Sequence, residues 1–233
     1  NQGALDEAIR HYEKAIRLSP EKADARNALA YALLRQQRFT EPMQEYGETL
    51  RLNPTNAEAH NNVGTILARR GREPEAIRHY SEAIRLDNNY PEAHHNLGLA
   101  LESTERFPEA AAHFREVIRL NPNHASARQD LQRALAAAQR QLEQAIEPYR
   151  QALKSKPGDG RAHGDLGRVL LEAGQLDEAV EQCAEAARLE PKNAEAQYQL
   201  GAALARKGER EKAARQVVLA LELNPDLAPA HYA

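Results

Sequence analysis

The chain has 233 residues, with 31 Lys and Arg against 34 Asp and Glu, a formal net charge of −3 and a single cysteine. This near-neutral balance argues against nucleic acid or an anionic membrane as partner, since either favours a basic excess. One cysteine, Cys183, excludes an internal disulfide and any multi-cysteine zinc site, and no apolar run approaches the length of a membrane span.

Ala, Leu, Glu, Arg and Gln dominate, all helix formers, and no stretch shows the strict alternation of a strand. The prolines give a ruler. Pro20, Pro54, Pro122, Pro157, Pro191 and Pro225, with Asn88 standing where one is due, are separated by steps of 34, 34, 34, 35, 34 and 34 residues. A step of that length is two short helices and two turns. Positions are counted below so that the proline is position 32 of its unit.

The sequence opens at Asn1 in polar helical residues with no targeting segment. It reads as a piece of something longer, and a soluble chain is expected, with the cytoplasm as the favoured compartment. Residues 1–22 predict a second helix, B, of a partial unit, carrying Ala8, Tyr12 and Ala15. Units 23–56, 57–90 and 91–124 each predict a first helix, A, followed by a helix B. In A, positions 7 and 11 are Leu29 and Leu33, Val63 and Leu67, Leu97 and Leu101, four apart on one face. Position 8 is small, Ala30, Gly64 and Gly98, which lets a neighbouring helix approach. In B, position 24 is a large ring, Tyr46, Tyr80 and Phe114, set between small residues such as Ala76 and Ala83: a knob between two holes. Acidic residues (Asp24, Glu58, Glu92, Glu195) open the A helices and Arg17, Arg51, Arg85, Arg119 and Arg188 close the B helices, as the helix dipole favours. Pro74 and Pro108 sit where B begins, and Gly3, Gly71, Gly174 and Gly208 are expected to break the chain between A and B.

The fourth unit, 125–159, is irregular. It has the extra residue, Gln132 at the small position, and no glycine between its helices. On propensity "RALAAAQRQLEQAIE" could run as one helix, and Pro148 falls inside the expected helix B, where a kink is expected. Either the A–B turn is longer by one residue, or the unit is a joint between an N-terminal and a C-terminal block. Units 160–193 and 194–227 resume the pattern with Leu166 and Leu170, Leu200 and Leu204, Gly167 and Gly201, and with Cys183 and Val217 at the ring position. Residues 228–233 predict the start of a further helix A.

These positions, in register over nearly the whole chain, resemble the tetratricopeptide repeat. The resemblance implies an all-α, right-handed superhelical solenoid of antiparallel helix pairs, a single array over residues 1–233 whose A helices line a concave groove. The family's large aromatic at position 4 is missing: Arg26, His60, His94, Arg128, His163 and Gln197 stand there. One helix pair cannot bury its apolar face alone, which is why the phrase "EAHNNVG" at 58–64 returns as "EAHHNLG" at 92–98.

No catalytic set emerges: "GDGRAHGDLG" (158–167) lacks the spacing of a phosphate loop, and Cys183, in place of a core ring, reads as a buried thiol. The histidines recur at repeat positions (His60, His94, His163 and His231; His11, His79 and His113), as packing would produce, rather than as one metal cluster. No enzyme, cofactor or metal is expected. Position 6 reads Ala28, Asn62, Asn96, Asp130, Asp165 and Gln199. Such a ladder of short polar groups can hold the main chain of an extended peptide, and it is similar to the asparagine ladder in the superhelical repeats of O-linked N-acetylglucosamine transferase. Neighbours along the groove would be Asn27, Tyr31, Arg35, Asn61, Thr65, Arg69, His95, Leu99, Arg133, Arg168 and Tyr198. The carboxylate clamp of chaperone-tail-binding tetratricopeptide domains is excluded. Its run would be Asn27, Tyr31, Asn62, Glu92 and Asn96, where only Asn62 fits. The expected function is a non-enzymatic scaffold binding peptides or partner proteins in the groove, without nucleic acid or membrane insertion. The alternatives are a substrate-recognition arm of a larger enzyme such as a glycosyltransferase, or self-association through uncapped ends.

Overall fold

The computed structural model describes residues 2–36, 38 and 40–227, so the further helix A expected at 228–233 lies outside the described residues. All regular structure among the described residues is α-helical: α1 (Gln2–Leu18), α2 (Ala23–Arg35), α3 (Glu41–Leu52), α4 (Ala57–Arg69), α5 (Glu73–Leu86), α6 (Pro91–Ser103), α7 (Phe107–Leu120), α8 (Ala127–Ser155), α9 (Gly160–Glu172), α10 (Leu176–Leu189), α11 (Ala194–Lys207) and α12 (Arg210–Leu223). The chain divides into two compact units, residues 1–138 and 139–233.

In the first unit α2 pairs with α3, α4 with α5 and α6 with α7, and α1, α3 and α5 also pack on the A helix that follows each. The knob and the hole meet. A Cβ built on Gly64 would lie 2.7 Å from Tyr80 Cε1, and one on Gly98 would lie 2.6 Å from Phe114 Cε1. Tyr46, Tyr80 and Phe114 are buried beside Val63, Leu67, Leu97 and Leu101, with Ala30, Ala76 and Ala110 supplying the small surfaces. In the second unit the pairs are α9–α10 and α11–α12. The rule survives a change of side chain: a Cβ on Gly167 would lie 2.5 Å from Cys183 Sγ, and one on Gly201 would lie 2.9 Å from Val217. Cys183 is fully buried, and burial pushes its thiol up to about 11, which keeps it protonated and unreactive.

The turns follow the glycines in three units. Gly71, Gly174 and Gly208 have φ of 71°, 77° and 92°, whereas in the third unit Glu105 takes that conformation at φ 60°. Gly3 breaks nothing; it lies inside α1. Asn56, Asp159 and Asn193 cap α4, α9 and α11 by accepting backbone N–H groups of the first turn.

The fourth unit differs from the helix pair expected for it. Its two helices are one, α8, of 29 residues, with Pro148 inside it. Without a residue suited to positive φ between them, nothing terminates the first helix, and the Ala-, Gln- and Arg-rich run carries it on. Pro148 removes one backbone donor but does not end the helix. Ala134 of α8 belongs to the core of the first unit, and Ile146 to that of the second, against Leu166 and Leu170.

The missing aromatic at position 4 has a polar substitute. In every unit that side chain bonds the carbonyl six residues earlier: Arg26 to Pro20 (3.1 Å), His60 to Pro54 (3.2 Å), His94 to Asn88 (3.2 Å), Arg128 to Pro122 (3.1 Å), His163 to Pro157 (3.1 Å) and Gln197 to Pro191 (3.2 Å). This pin ties each A helix to the turn that leads into it, and it satisfies a carbonyl that the proline turn leaves free.

Candidate functional site

The candidate residues sit on the A helices, and in the first unit many of them contact the next A helix rather than solvent. Asn61 and Asn62 are 5% and 7% exposed, and Asp130 is 6%. Asn96 donates from Nδ2 to Asn61 Oδ1 at 2.9 Å, joining α6 to α4, and Asn61 Nδ2 donates to the Tyr90 hydroxyl at 3.3 Å. His95 Nε2 lies 2.9 Å from Asp130 Oδ2, and Arg133 pairs with both Asp130 (2.9 Å) and Glu102 (2.6 Å). Burial works to raise the Asp130 carboxyl, but hydrogen bonds from His95 and Ser126 and the Arg133 charge outweigh it and hold it below the usual range. Positions 5 and 6 of successive A helices thus form rungs between repeats.

One rung is open. Asn27 and Asn62 occupy the same two positions as Asn61 and Asn96, one repeat earlier. Asn27 Nδ2 donates to Glu58 Oε2 at 3.0 Å, but Asn27 Oδ1 and Asn62 Nδ2 are both buried without a partner. Asn62 stands beside the Tyr46 hydroxyl, which is itself buried and unpartnered. Burial, then the charge of Glu58, raises the Tyr46 phenol well above its ordinary value. The same two causes push Tyr90 up to about 12. Both phenols therefore stay protonated and keep an O–H to donate. Tyr31 and Leu99, 42% and 39% exposed, stand at position 9 of α2 and α6, with Thr65 at the same place on α4. Arg35 donates to the Tyr31 hydroxyl at 3.2 Å, and Arg69 is exposed at the end of α4.

In the second unit the rung position is Gly164, and the crevice between α9 and α11 is a cavity of about 450 Å³. Asp165, Arg168 and Gln199 of the expected site line it, together with Glu190 and Glu195. Arg168 pairs with Glu172 at 3.0 Å, and Tyr198, half-buried, follows Gln197 on α11. The sequence reading missed the Tyr46–Glu58–Tyr90 surround of the open rung. By its repeat position Tyr46 reads as a core ring, and Tyr90 precedes a proline in a turn. Among the described residues no three His, Cys, Asp or Glu side chains converge as a metal set would, and no helix is long and apolar enough to cross a membrane.

The sequence matches the family described as TPR repeat over residues 1–37, 64–104 and 167–208, more than half of the chain, and that described as Tetratricopeptide repeat over residues 91–124. No curated protein sequence matches it. Among solved structures, YrrB, a TPR protein with an unusual peptide-binding site, is similar at 23% identity over 95% of this chain and 96% of that one, with a TM-score of 0.46. The first TPR of Spaghetti (RPAP3) bound to HSP90 peptide SRMEEVD is similar at 22% identity over 50% and 92%, TM-score 0.48. The APC/C hetero-tetramer Cut9-Hcn1 is similar at 17% identity over 98% of this chain and 45% of that one, TM-score 0.53, a likeness of fold. Tetratricopeptide repeats are in general non-enzymatic interaction modules. With its helix pairs, its glycine holes filled by position-24 side chains and these family matches together, the chain belongs to the tetratricopeptide-repeat family.

Proposed function

We propose that the chain is a protein-interaction scaffold and that the A-helix wall of its first unit holds an extended peptide segment of a partner. The open rung carries this reading. Asn27 Oδ1 is an unpartnered acceptor and Asn62 Nδ2 an unpartnered donor, both buried on successive A helices, and a peptide main chain, with its N–H and C=O at every residue, pairs with them once α2 and α4 part to admit it. Leaving both groups buried and unpaired costs stability, on the order of 1–3 kcal/mol each. The same geometry is closed one repeat later by Asn61 and Asn96, so the opening is local. Tyr31, Thr65 and Leu99 give an adjoining row for the ligand's side chains, with Arg35 and Arg69 at its edge.

Asn96 and Asp130 already link repeats, so removing them would disturb packing as well as binding. Asn62→Leu separates the two. It replaces an unsatisfied amide by an apolar group of similar volume, so the melting temperature should hold or rise while selection of peptides from a phage-displayed library is lost. Peptides enriched on the wild type that bind the variant equally well would end the proposal.

Self-association is a second reading, favoured by one observation in the second unit: Val218, Leu219 and Leu223 of α12 are 55%, 36% and 37% exposed. A sedimentation coefficient independent of concentration would remove it.

A further inference from the structure

Helix A is clamped to helix B within a repeat by the side chains at positions 4 and 23, and the chemistry of that clamp changes along the chain. In the first full repeat it is an ion pair, Arg26 NH1 to Glu45 Oε2 at 2.8 Å. In the fifth, His163 Nδ1 faces the Gln182 side-chain amide at 2.7 Å while Nε2–H goes to the Pro157 carbonyl, so the neutral ring accepts from the amide NH2 and the protonated ring donates to its oxygen, and the clamp holds in either state. In the second and third it is a pair of histidines. His60 Nδ1 lies 3.1 Å from His79 Nδ1, and His94 Nδ1 lies 3.0 Å from His113 Nδ1.

The ring centroids of each pair are 5.3 Å apart. That is close to the nitrogen–nitrogen gap plus the two ring radii, so the nitrogens lie nearly on the line between the rings. Lone pairs aimed at one another make an N–H···N bond. A shared metal ion would need them to converge on a third point about 2 Å from both. The tautomers follow. His60 and His94 each donate Nε2–H to a backbone carbonyl, of Pro54 and Asn88. When neutral they therefore present a bare Nδ1, which accepts Nδ1–H from His79 or His113. The bond holds one proton. One added proton goes to the other nitrogen of His79 or His113 and keeps the bond; a second puts two N–H groups, and two positive charges, face to face across about 3 Å.

We propose that these two histidine pairs make the α4–α7 segment of the first unit open in mild acid, while the His163–Gln182 clamp leaves the second unit indifferent. The surroundings give little relief to the second proton. Glu75, Arg78 and Glu82 of α5 act on the first pair, to which α4 brings His60 itself. Glu109 and Glu116 of α7 act on the second, to which α6 brings His94. Each of those carboxylates is already held by an arginine three residues away at 2.6 Å: Glu75 by Arg72, Glu82 by Arg85, Glu109 by Arg106 and Glu116 by Arg119. Burial first, and then the charge of the partner ring, lowers the affinity of His79 and His113 for a proton. The unfolded chain then binds more protons than the folded one once the pH falls below about 6.5, the ordinary histidine value. The stability these groups contribute is complete above that pH and declines as acid is added.

The test is amide hydrogen exchange, corrected for intrinsic rates, at pH 7.5 and 5.5 on the wild type and on His79→Gln/His113→Gln, which copies the natural clamp of the second unit. Opening of α4–α7 in the wild type should rise about tenfold more between the two pH values than in the variant, and α9–α12 should behave alike in both. Parallel pH dependences would overturn the proposal. An imidazole titration of the wild type by nitrogen NMR decides independently of how the variant folds. One histidine of each pair should titrate below the ordinary range, coupled to its neighbour, and four independent titrations near 6.5 would refute the clamp. Any effect on ligand held by the wall rests on the proposed function above; this test does not.

Discussion

At Gly98 the helix gives up a side chain to let the Phe114 ring reach its backbone. An added Cβ would meet that ring at 2.6 Å, inside a core where Phe114 is fully buried and has nowhere to retreat. Gly98→Ala should therefore destabilise the chain by about 1–3 kcal/mol, an overpacking cost, although alanine is the better helix former. Gly47 provides the contrast. It lies in α3 with open space where its Cβ would be, so Gly47→Ala should stabilise by about 0.5–1 kcal/mol. Denaturant unfolding of the two variants should give opposite signs, and equal signs would mean that the holes do not carry the packing. The small position was legible in the sequence because it recurs. The polar rungs were only half legible. Asn62 and Asn96 drew attention by repetition, but whether an amide faces a ligand, a neighbouring amide or a phenol depends on contacts between residues 35 apart, as in Asn96 to Asn61.

At the scale of the element, the turn near position 15 separates the two helices in three of the repeats that carry glycine there. Gly71, Gly174 and Gly208 take positive φ there, and the glycine has no Cβ to clash with the carbonyl. Glu105 adopts the same conformation at φ 60°, a region that costs an L-residue about 1–2 kcal/mol. Glu105→Gly should stabilise the third repeat by about 0.5–1 kcal/mol, after the greater entropy of glycine in the unfolded chain is counted. A higher denaturant midpoint with an unchanged slope would show it, and a lower midpoint would show that Glu105 has a compensating role. In the fourth unit, whose A–B segment has no glycine and is rich in helix formers, the turn disappears into α8. The missing glycine and the helix-forming run were visible in the sequence. That the run would win over the repeat pattern, with Pro148 inside, was not, because that outcome depends on what the two halves of the helix bury.

At the scale of the molecule, stability is spread unevenly. Tyr46, Phe114, Ile66 and Val117 of the first unit are completely buried, as is Leu170 of the second. By contrast α12 buries only Ala213 and Ala220. Energy in such arrays comes mostly from each repeat's neighbours, so amide exchange at neutral pH should be slowest in α4–α7 and fastest in α1 and α12. A uniform profile would instead mean one cooperative block. The many Glu–Arg pairs three residues apart on the B helices are exposed, for example Glu82 with Arg85 and Glu185 with Arg188, and such pairs contribute little.

The sequence by itself determined the period, the helix pairs, the glycine holes and the side chains that fill them. All of these follow from residue size and backbone preference repeated at a fixed spacing. The tertiary structure decided which polar groups of the wall are spent on neighbouring repeats, that the Asn27–Asn62 rung stays open, that position 4 pins a carbonyl, and that two histidine pairs meet nitrogen to nitrogen. Those outcomes depend on distance and direction between side chains brought together from different helices, which a one-dimensional pattern does not contain.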